Sequence, residues 1–382
     1  MPNSSLAESV TSPAAADSSN EANKKSFSIA VIAGDGIGPE VIPATTAVLN
    51  RLGEKFDVQF HFQAYDWGAE YYFRHGQMMP SNALELLGKV DAILLGAVGD
   101  PRIPDYVTLN GLLLPIRRTF DQFANVRPAI LYPGVSSPLR NLQGGDIDMV
   151  IVRENTEGEY SQVGGFVHHD TSEEVAVQTS VFTRHGIERV IRFAFELATE
   201  RNQKNRVTSV TKSNAQAFGM VLWDRIFDKV RLEYPNIETE SLLVDAAAMD
   251  FVRRPKSFDV VVASNLFGDI LSDLSAGVTG GIGLAPSANL DPLRRFPSMF
   301  EPVHGSAPDI AGKGVANPIA SFFSGAMMLA HLELKEPSRI LDFTTRQVLA
   351  ERRVRTPDLG GSNTTRDVVE TVLDLIDNMA TT

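Results

Sequence analysis

The sequence predicts an α/β protein in which short buried strands alternate with helices. Apolar runs of strand length recur along the chain, at 28–33, 58–65, 92–95, 147–152, 207–211 and 259–263. The βαβ order at the start of the chain predicts a largely parallel sheet that is covered by helices. At 382 residues the chain is long enough for a large core and two lobes.

The composition excludes several functional classes. Hydrophobic residues make up 43% of the chain, which argues against general disorder, and 35 Lys and Arg stand against 47 Asp and Glu, a net charge of −12. Because there is no basic patch, nucleic acid is not an expected partner. No apolar run reaches the roughly 18 residues of a membrane span. Zero cysteines rule out disulfides and suit a reducing, cytoplasmic compartment.

Residues 1–26 are predicted to form a disordered tail, since they are rich in Ser, Ala, Asn and Glu and show no periodicity. The absence of arginine and of an apolar stretch argues against a targeting peptide. The first strand, 28–33, leads through GDGIGPE at 34–40 into a helix with Pro39 near its start. The third glycine falls one place too early for GxGxxG, so a tight turn is favoured over a pyrophosphate cradle.

Three arginines occur in three different structural contexts. Arg117 lies in a predicted short helix, Arg127 precedes a proline that favours extended backbone, and Arg153 ends the strand 147–152. Since each guanidinium can bind a planar carboxylate through two hydrogen bonds, the three suit a dicarboxylate substrate. The alternative is that each forms an ordinary surface ion pair.

A two-stranded ribbon is predicted at 164–183, because apolar and polar residues alternate from Val175 onward. His168 and His169 are adjacent there and would face opposite sides of a strand, so they are not expected to bind one metal together. Further helices are predicted at 187–199, 213–232, 318–334, 337–350 and 365–378.

Two carboxylates follow the buried strand 259–263. Asp269 and Asp273 stand four residues apart on a helix predicted at 268–277, so both project from one face. Oxygen donors so placed can share a hard divalent cation, Mg²⁺ or Mn²⁺. The alternative is that Asp269 complements the helix dipole and Asp273 is merely solvated.

The segment 300–318, FEPVHGSAPDIAGKGVANP, is a Gly- and Pro-rich loop too long for one turn. With the Asp pair, it makes the chain resemble the β-decarboxylating dehydrogenases, the family of isopropylmalate, isocitrate and tartrate/D-malate dehydrogenases. The resemblance covers nearly the whole chain from residue 27. Further motifs resemble the tartrate/D-malate branch: DWGAEYY at 66–72, GQMMP at 76–80, ENTEGEY at 154–160, KSNAQ at 212–216 and RFPSMFEP at 295–302.

The resemblance implies an isopropylmalate dehydrogenase-like fold, in which two lobes share a large mixed sheet flanked by helices. Residues 27–122 and 280–382 would form the first, cofactor-binding lobe. Residues 123–279 would form the second lobe, which binds substrate and metal. The ribbon at about 160–183 would be an arm that clasps the partner in a homodimer.

The resemblance also implies roles that spacing alone leaves unassigned. Lys212 would be a general base, and Tyr160 the acid that protonates the enolate after decarboxylation. Asp245 would join Asp269 and Asp273 as a ligand of Mn²⁺ or Mg²⁺. Lys212 and Asp245 would both act in the active site of the neighbouring subunit. Without the family, Lys212 and Tyr160 are an ordinary surface lysine and a half-buried tyrosine.

The same resemblance assigns NAD to the 300–318 loop and not to a Rossmann turn. The implied contacts are His304, Gly305, Ser306, Ala307, Asp309 and Asn317. A carboxylate at Asp309 would accept hydrogen bonds from the adenosine ribose and repel a 2′-phosphate, which favours NAD over NADP. NADP-using relatives carry Lys-Tyr at the positions of Asp309 and Ile310.

The implied activity is NAD- and metal-dependent oxidation of tartrate and oxidative decarboxylation of D-malate to pyruvate and CO₂. One alternative is 3-isopropylmalate dehydrogenase of leucine biosynthesis, a branch with an acidic residue that is missing from TLNGLL at 108–113. Another is a catalytically inert regulatory subunit, which would lack metal ligands or the catalytic pair. The residues expected beside the substrate's β-carbon are Asn110, Leu112, Leu113 and Leu114.

Overall fold

The fold is organised around one ten-stranded sheet. A computed structural model of the protein describes residues 25–379. The tail predicted for 1–26 lies outside that range, apart from Lys25 and Ser26, which begin the first strand. The strands are β1 Lys25–Gly34, β2 Val58–Tyr65, β3 Ala92–Ala97, β4 Ala124–Ile130, β5 Asp148–Glu154, β6 Gly158–Val167, β7 Val175–Val181, β8 Arg206–Thr211, β9 Glu238–Leu243, β10 Val260–Ala263, β11 Pro286–Leu290 and β12 Ser298–Pro302.

Helices occupy most of the chain between the strands. They are α1 Gly38–Phe56, α2 Ala69–His75, α3 Ala83–Leu87, α4 Asp105–Thr108, α5 Leu114–Thr119, α6 Arg184–Arg201, α7 Gly219–Val230, α8 Val244–Arg253, α9 Asn265–Val278, α10 Ile319–His331, α11 Lys335–Glu351 and α12 Thr365–Asn378. A π-helical segment, Leu109–Leu113, joins α4 to α5. None of the helices in residues 25–379 is both long and apolar enough to cross a membrane.

The large sheet is mixed, as the family resemblance implied, and six of its nine strand pairs are parallel, as the βαβ order predicted. Its order is β2-β1-β3-β12-β11-β4-β5-β10-β8-β9. The first four strands in this order, β2, β1, β3 and β12, are parallel to one another, and so are the last four, β5, β10, β8 and β9. The pairs between them, β12–β11, β11–β4 and β4–β5, are antiparallel. Three successive antiparallel junctions reverse the direction, so the two parallel halves run opposite ways. The βαβ pattern described each half but could not show how they join.

Helices cover both faces of the first half of the sheet. Along β1, Ile29 and Val31 join one cluster of buried side chains, whereas Ala30 and Ile32 join another, as the alternation of a strand requires. The fully buried members of a third cluster all lie between Phe123 and Val278. We retain the two lobes, 27–122 with 280–382 and 123–279, as a prediction that this division of the core supports.

Two predicted helix starts, those near Lys212 and Asp269, differ from the structure. The helix expected at 213–232 begins only at Gly219, because residues after Lys212 form turns in which the Ala215 and Gln216 N–H groups donate to the Lys212 carbonyl. Ser213 and Asn214 favour such turns over a helix interior. The helix expected at 268–277 begins earlier, at Asn265. The ribbon is confirmed as the separate antiparallel pair β6–β7.

Candidate active site

The three predicted arginines converge on one cavity, although they belong to separate elements. Arg117 on α5, Arg127 on β4 and Arg153 on β5 are all buried and line a cavity of about 180 Å³. In the β4–β5 ladder Arg127 is opposite Ile151, two residues before Arg153. Arg127 and Arg153 are therefore diagonal neighbours on one face of the sheet. In an acidic protein, this is a local concentration of positive charge.

Asp269 on α9 is the carboxylate that these elements share. Arg127 Nη1 lies 3.2 Å from Asp269 Oδ1, and Arg153 Nη1 contacts the same oxygen. Tyr160, on β6, donates its hydroxyl to Asp269 Oδ2 at 2.9 Å. Ser272 fixes Arg127 from the other side, since Arg127 Nη1 also donates to Ser272 Oγ at 2.8 Å.

The protonation states follow from burial and charge. Burial alone would raise the pKa of Asp269, but the Arg153 and Arg127 guanidinium groups and the Tyr160 hydroxyl together hold that pKa below its usual value. Burial, and then the Asp269 carboxylate, raise the pKa of Tyr160. Burial lowers the pKa of Arg127 to about 10, which leaves it cationic at neutral pH. The site thus holds an ionised carboxylate beside a protonated phenol.

Asp273 lies one turn beyond Asp269 on α9, as the spacing predicted. Its Oδ1 is 3.7 Å from Arg127 Nη1, and its side chain is 58% exposed. Burial and the adjacent Asp269 charge raise the pKa of Asp273, against the opposing effect of Arg127. Asp269 and Asp273 repel each other when both are ionised, and a divalent cation bound between them would relieve that repulsion. Carboxylate oxygens are ligands that Mg²⁺ and Mn²⁺ prefer. The residues present therefore fit such an ion.

Lys212 and Asp245 lie apart from this cavity within one chain. Lys212 Nζ is 2.5 Å from Asp245 Oδ1, and neither residue is among those that line the cavity. Lys212 follows β8, and Asp245 is the second residue of α8, with its side chain 67% exposed. Within one chain the two residues therefore pair with each other outside the cavity lining.

The Gly- and Pro-rich loop packs against the turn between β1 and α1. Ile37 N donates to Ser306 O at 2.8 Å, and a Cβ added at Gly36 would lie 1.9 Å from that oxygen. Gly36 has a φ of +57°, so glycine is needed both for the left-handed backbone and for the close approach. The tight turn predicted at 34–40 is confirmed, and its role here is to support the loop.

The predicted cofactor residues are spread along that loop. His304 is buried in the cavity wall, where burial lowers the pKa of its imidazole, and its Nε2 has no hydrogen-bond partner among the described residues. A Cβ at Gly305 would meet open space. Asn317 Nδ2 donates to Asp358 Oδ2 at 2.9 Å, whereas Asp309 is exposed. An unpartnered ring nitrogen beside accessible backbone fits a nucleotide such as NAD.

Two residues of the site had no role assigned from the sequence. Glu301, at the end of β12, accepts from Arg117 Nη2 at 2.8 Å and from Asn289 Nδ2 at 2.8 Å. Asn265, the first residue of α9, accepts from Arg153 Nε at 2.9 Å and from Nη2 at 2.7 Å. Glu301 falls inside the 300–318 segment, and Asn265 lies between the predicted strand 259–263 and the helix predicted at 268–277.

The leucines before Arg117 are placed only partly as expected. Leu109, Leu113 and Leu114 line the cavity. Leu112 is fully buried in the neighbouring core and, like Asn110, is not part of the cavity lining. Because residues 109–113 form a π-helix, the side chains that face the cavity differ from those that a regular helix would present.

Two other polar features do not resemble substrate sites. An open depression of about 550 Å³ includes Arg294 and Arg295, but Glu333 pairs with Arg294, and Asp291 pairs with Arg295 at 3.0 Å. At the tip of the β6–β7 ribbon, His169 lies between two carboxylates on opposite ring nitrogens. His169, Asp170 and Glu174 are all exposed, and exposed acidic groups of this kind are common without a bound ion.

Comparison with known proteins places the chain in a family. The family model described as isocitrate/isopropylmalate dehydrogenase matches residues 28–372. The probable tartrate dehydrogenase/decarboxylase TtuC of Agrobacterium vitis is 50% identical over 354 residues, covering 92% of this chain and 96% of that protein. The D-malate dehydrogenase (decarboxylating) of Escherichia coli strain K12 is 49% identical over 359 residues, covering 92% and 99%. The crystal structure of isocitrate dehydrogenase from Methylococcus capsulatus matches with a TM-score of 0.83 at 36% identity, covering 92% of this chain and 99% of that one. The chain therefore belongs to the isocitrate/isopropylmalate dehydrogenase family.

Proposed function

We propose that this protein oxidises tartrate and oxidatively decarboxylates D-malate to pyruvate and CO₂, using NAD and a divalent metal ion. The family consists of dehydrogenases that are generally Mg- or Mn-dependent, typically dimeric, and act on small hydroxy acids. The observation that carries the proposal is the convergence of three buried arginines and Asp269 on one small cavity, in a chain about half identical to enzymes of those names.

The arginines would bind the two carboxylates of the substrate. Buried Arg117 Nε and Arg127 Nε have no hydrogen-bond partner among the described residues, which leaves donors for an anion. Three guanidinium groups face two carboxylates, Asp269 and Glu301, around the cavity. Their positive charge exceeds the negative charge of the wall, and the three arginines are buried, which favours the binding of a dianion.

Asp269 and Asp273 would hold the metal ion, with Asp245 of a second subunit completing the ligand set. When bound, the ion would polarise the substrate oxygens and NAD would accept the hydride. Asp269, which would hold the ion, is also the carboxylate that Arg127 and Arg153 contact, so the proposed metal and substrate groups are adjacent.

Two residues would move the protons. Lys212 of the second subunit would take the proton of the substrate hydroxyl, which requires it to leave its present ion pair with Asp245. Tyr160 would donate its phenolic proton to carbon after CO₂ has left. Its raised pKa keeps that proton on the phenol until then.

A homodimer with shared sites accounts for the position of Lys212 and Asp245 outside the cavity. One face of the β6–β7 ribbon is an apolar surface that its own chain leaves exposed, with Val163, Val167, Val175 and Val177 between 47% and 52% exposed. Monomers rarely expose such a contiguous apolar strip. A second copy of the chain, clasped by this arm, would cover it.

The NAD loop would comprise His304, Gly305, Ser306, Ala307, Asp309 and Asn317. Asp309 is exposed on that loop, where its carboxylate would accept from the ribose hydroxyls and repel a 2′-phosphate. The unpartnered Nε2 of His304 would lie beside the nucleotide.

One alternative has an observation in its favour. Leu109, Leu113 and Leu114 give the cavity an apolar wall. This wall would accept the isopropyl group at the β-carbon of 3-isopropylmalate as well as the hydrogen at the same position of D-malate. An apolar pocket also rejects an added hydroxyl only weakly, by roughly a hundredfold. The structure alone thus leaves 3-isopropylmalate as the second candidate substrate.

Initial rates of NADH formation with D-malate, the tartrate isomers and 3-isopropylmalate test the proposal. We expect turnover of D-malate and of at least one tartrate isomer, with pyruvate and CO₂ from D-malate. Chelation should abolish the activity, Mn²⁺ or Mg²⁺ should restore it, and Asp269→Asn should remove it. A kcat/KM for 3-isopropylmalate about tenfold or more above that for D-malate would replace this function with the alternative.

A further inference from the structure

Arg118 follows Arg117 in α5 but has different partners. Arg117 is buried and contacts Glu301 at the cavity, whereas Arg118 does not line the cavity. Arg118 instead donates from Nη2 to the Tyr160 backbone oxygen and from Nη1 to Gln162 Oε1. One turn of helix therefore contacts both the cavity and the strand that carries Tyr160.

Strand β6 is irregular at the point where Arg118 binds it. Its pairing with β7 shifts register between Gly158 and Val163, and Gln162 has a φ of +50°. A left-handed conformation is unfavourable for a non-glycine residue and persists only where the surroundings hold it. In Gln162 the left-handed conformation is stabilised through the side chain, which accepts a hydrogen bond from Arg118 and donates one to Asn110.

Asn110 brings the π-helical segment into the same network. Its Oδ1 accepts from Gln162 Nε2, and its own Nδ2 donates to Tyr106 O at 2.7 Å. The segment Leu109–Leu113 also supplies Leu109 and Leu113 to the cavity wall. Side chains that would touch the substrate are thus connected to β6 through polar contacts outside the cavity.

The Tyr160 phenol is held at its other end by the site itself. Its hydroxyl donates to Asp269 Oδ2 at 2.9 Å, and the Arg153 guanidinium carbon lies 5.1 Å from the ring centroid. Asp269 is also one of the proposed metal ligands, so a bound ion would compete with the Tyr160 hydroxyl for this carboxylate. The backbone contact from Arg118 would remain.

We propose that Arg118 is a positioning residue for Tyr160: it joins the 109–119 segment to β6 and so sets where the phenol stands relative to the substrate. The proposal rests on the proposed function of Tyr160 as the acid. A guanidinium suits the task because its planar fork reaches two acceptors in fixed geometry, whereas a lysine ammonium has no such fork. Arg118 touches neither substrate nor cofactor in this scheme.

The test compares Arg118→Lys and Arg118→Gln with Arg366→Lys, a control at an arginine whose side chain is 85% exposed. A misplacement of about 1 Å at a reacting group can cost roughly a hundredfold in rate. We expect kcat for D-malate to fall by about ten- to a hundredfold, more for Gln than for Lys, with KM for D-malate and for NAD nearly unchanged. Arg366→Lys should keep the wild-type kcat.

A double variant separates positioning from general damage. When two residues act as a unit, the effects of substituting them on the activation free energy do not add. Arg118→Lys should therefore lower kcat little or not at all in a Tyr160→Phe background. Multiplicative losses, or a rise in KM without a fall in kcat, would overturn the proposal. If Arg118→Gln does not fold, Gln162→Ala removes the side chain that Arg118 Nη1 contacts. That variant should also lower kcat while leaving KM nearly unchanged. Absence of D-malate turnover by the wild-type protein would refute the proposed function before any variant is compared.

Discussion

Replacing Gly36 by alanine should disturb the cofactor loop without touching the catalytic residues. The added Cβ would lie 1.9 Å from Ser306 O, while ordinary contact begins at 3.4 Å, so the loop must retreat by about 1.5 Å (3.4 − 1.9). The hydrogen bond from Ile37 N to Ser306 O, 2.8 Å long, would then be lost, at a cost of about 1 kcal/mol. A further cost of about 1 kcal/mol arises because alanine disfavours the φ of +57°.

Gly76→Ala is the matched control for this substitution. Gly76 has a φ of +72° and a Cβ there would meet nothing within 4 Å, so it carries the left-handed cost without the clash. Gly76 ends α2 on the exposed surface, away from the cavity-lining residues. The difference between the two variants therefore isolates the displacement of the Ser306 loop.

The assay is initial rates over a range of NAD concentrations, together with the denaturant midpoint of each variant. For Gly36→Ala we expect kcat/KM for NAD to fall by about ten- to a hundredfold and stability to drop by about 1 kcal/mol more than for Gly76→Ala, because the φ cost is common to both. If the two variants bind NAD equally well and are equally stable, the loop yields freely and the reasoning is refuted.

Three further outcomes are expected. Asp309→Lys should raise the ratio of NADP to NAD efficiency by about tenfold or more, since it removes the carboxylate that repels a 2′-phosphate; an unchanged ratio would mean that Asp309 does not face the ribose. Mixing Arg127→Ala with Lys212→Ala chains should restore one of the two sites in each heterodimer, about a quarter of wild-type activity after full exchange, whereas sites contained in one chain would restore none. Burial, reinforced by Arg294, lowers the pKa of His331 to about 4, so its contribution to stability is present above about pH 6.5 and is lost as pH falls towards 4. His331→Gln should therefore flatten the pH dependence of the unfolding midpoint over that interval, and an unaltered profile would contradict the assignment.

Features that depend on neighbouring residues could be predicted from the sequence by itself. The four-residue spacing of Asp269 and Asp273 places them one turn apart on any α-helix, and both lie on α9. The glycines at 34 and 36 predicted the tight turn, and both have positive φ. The motifs from residue 27 onward were sufficient to predict the family, which the match over residues 28–372 confirms.

Tertiary structure decided which of these groups meet. Arg127 and Asp269 are 142 residues apart in the chain, and their contact depends on β4 lying next to β5 and on α9 packing against both. Spacing could not reveal that Asp269 is shared by two arginines and Tyr160, or that buried Glu301 pairs with Arg117. It also could not show that the two parallel halves of the sheet join through antiparallel strands. Local pattern determines each element from backbone geometry, whereas the charges and burial of a site arise only when strands distant in sequence become neighbours.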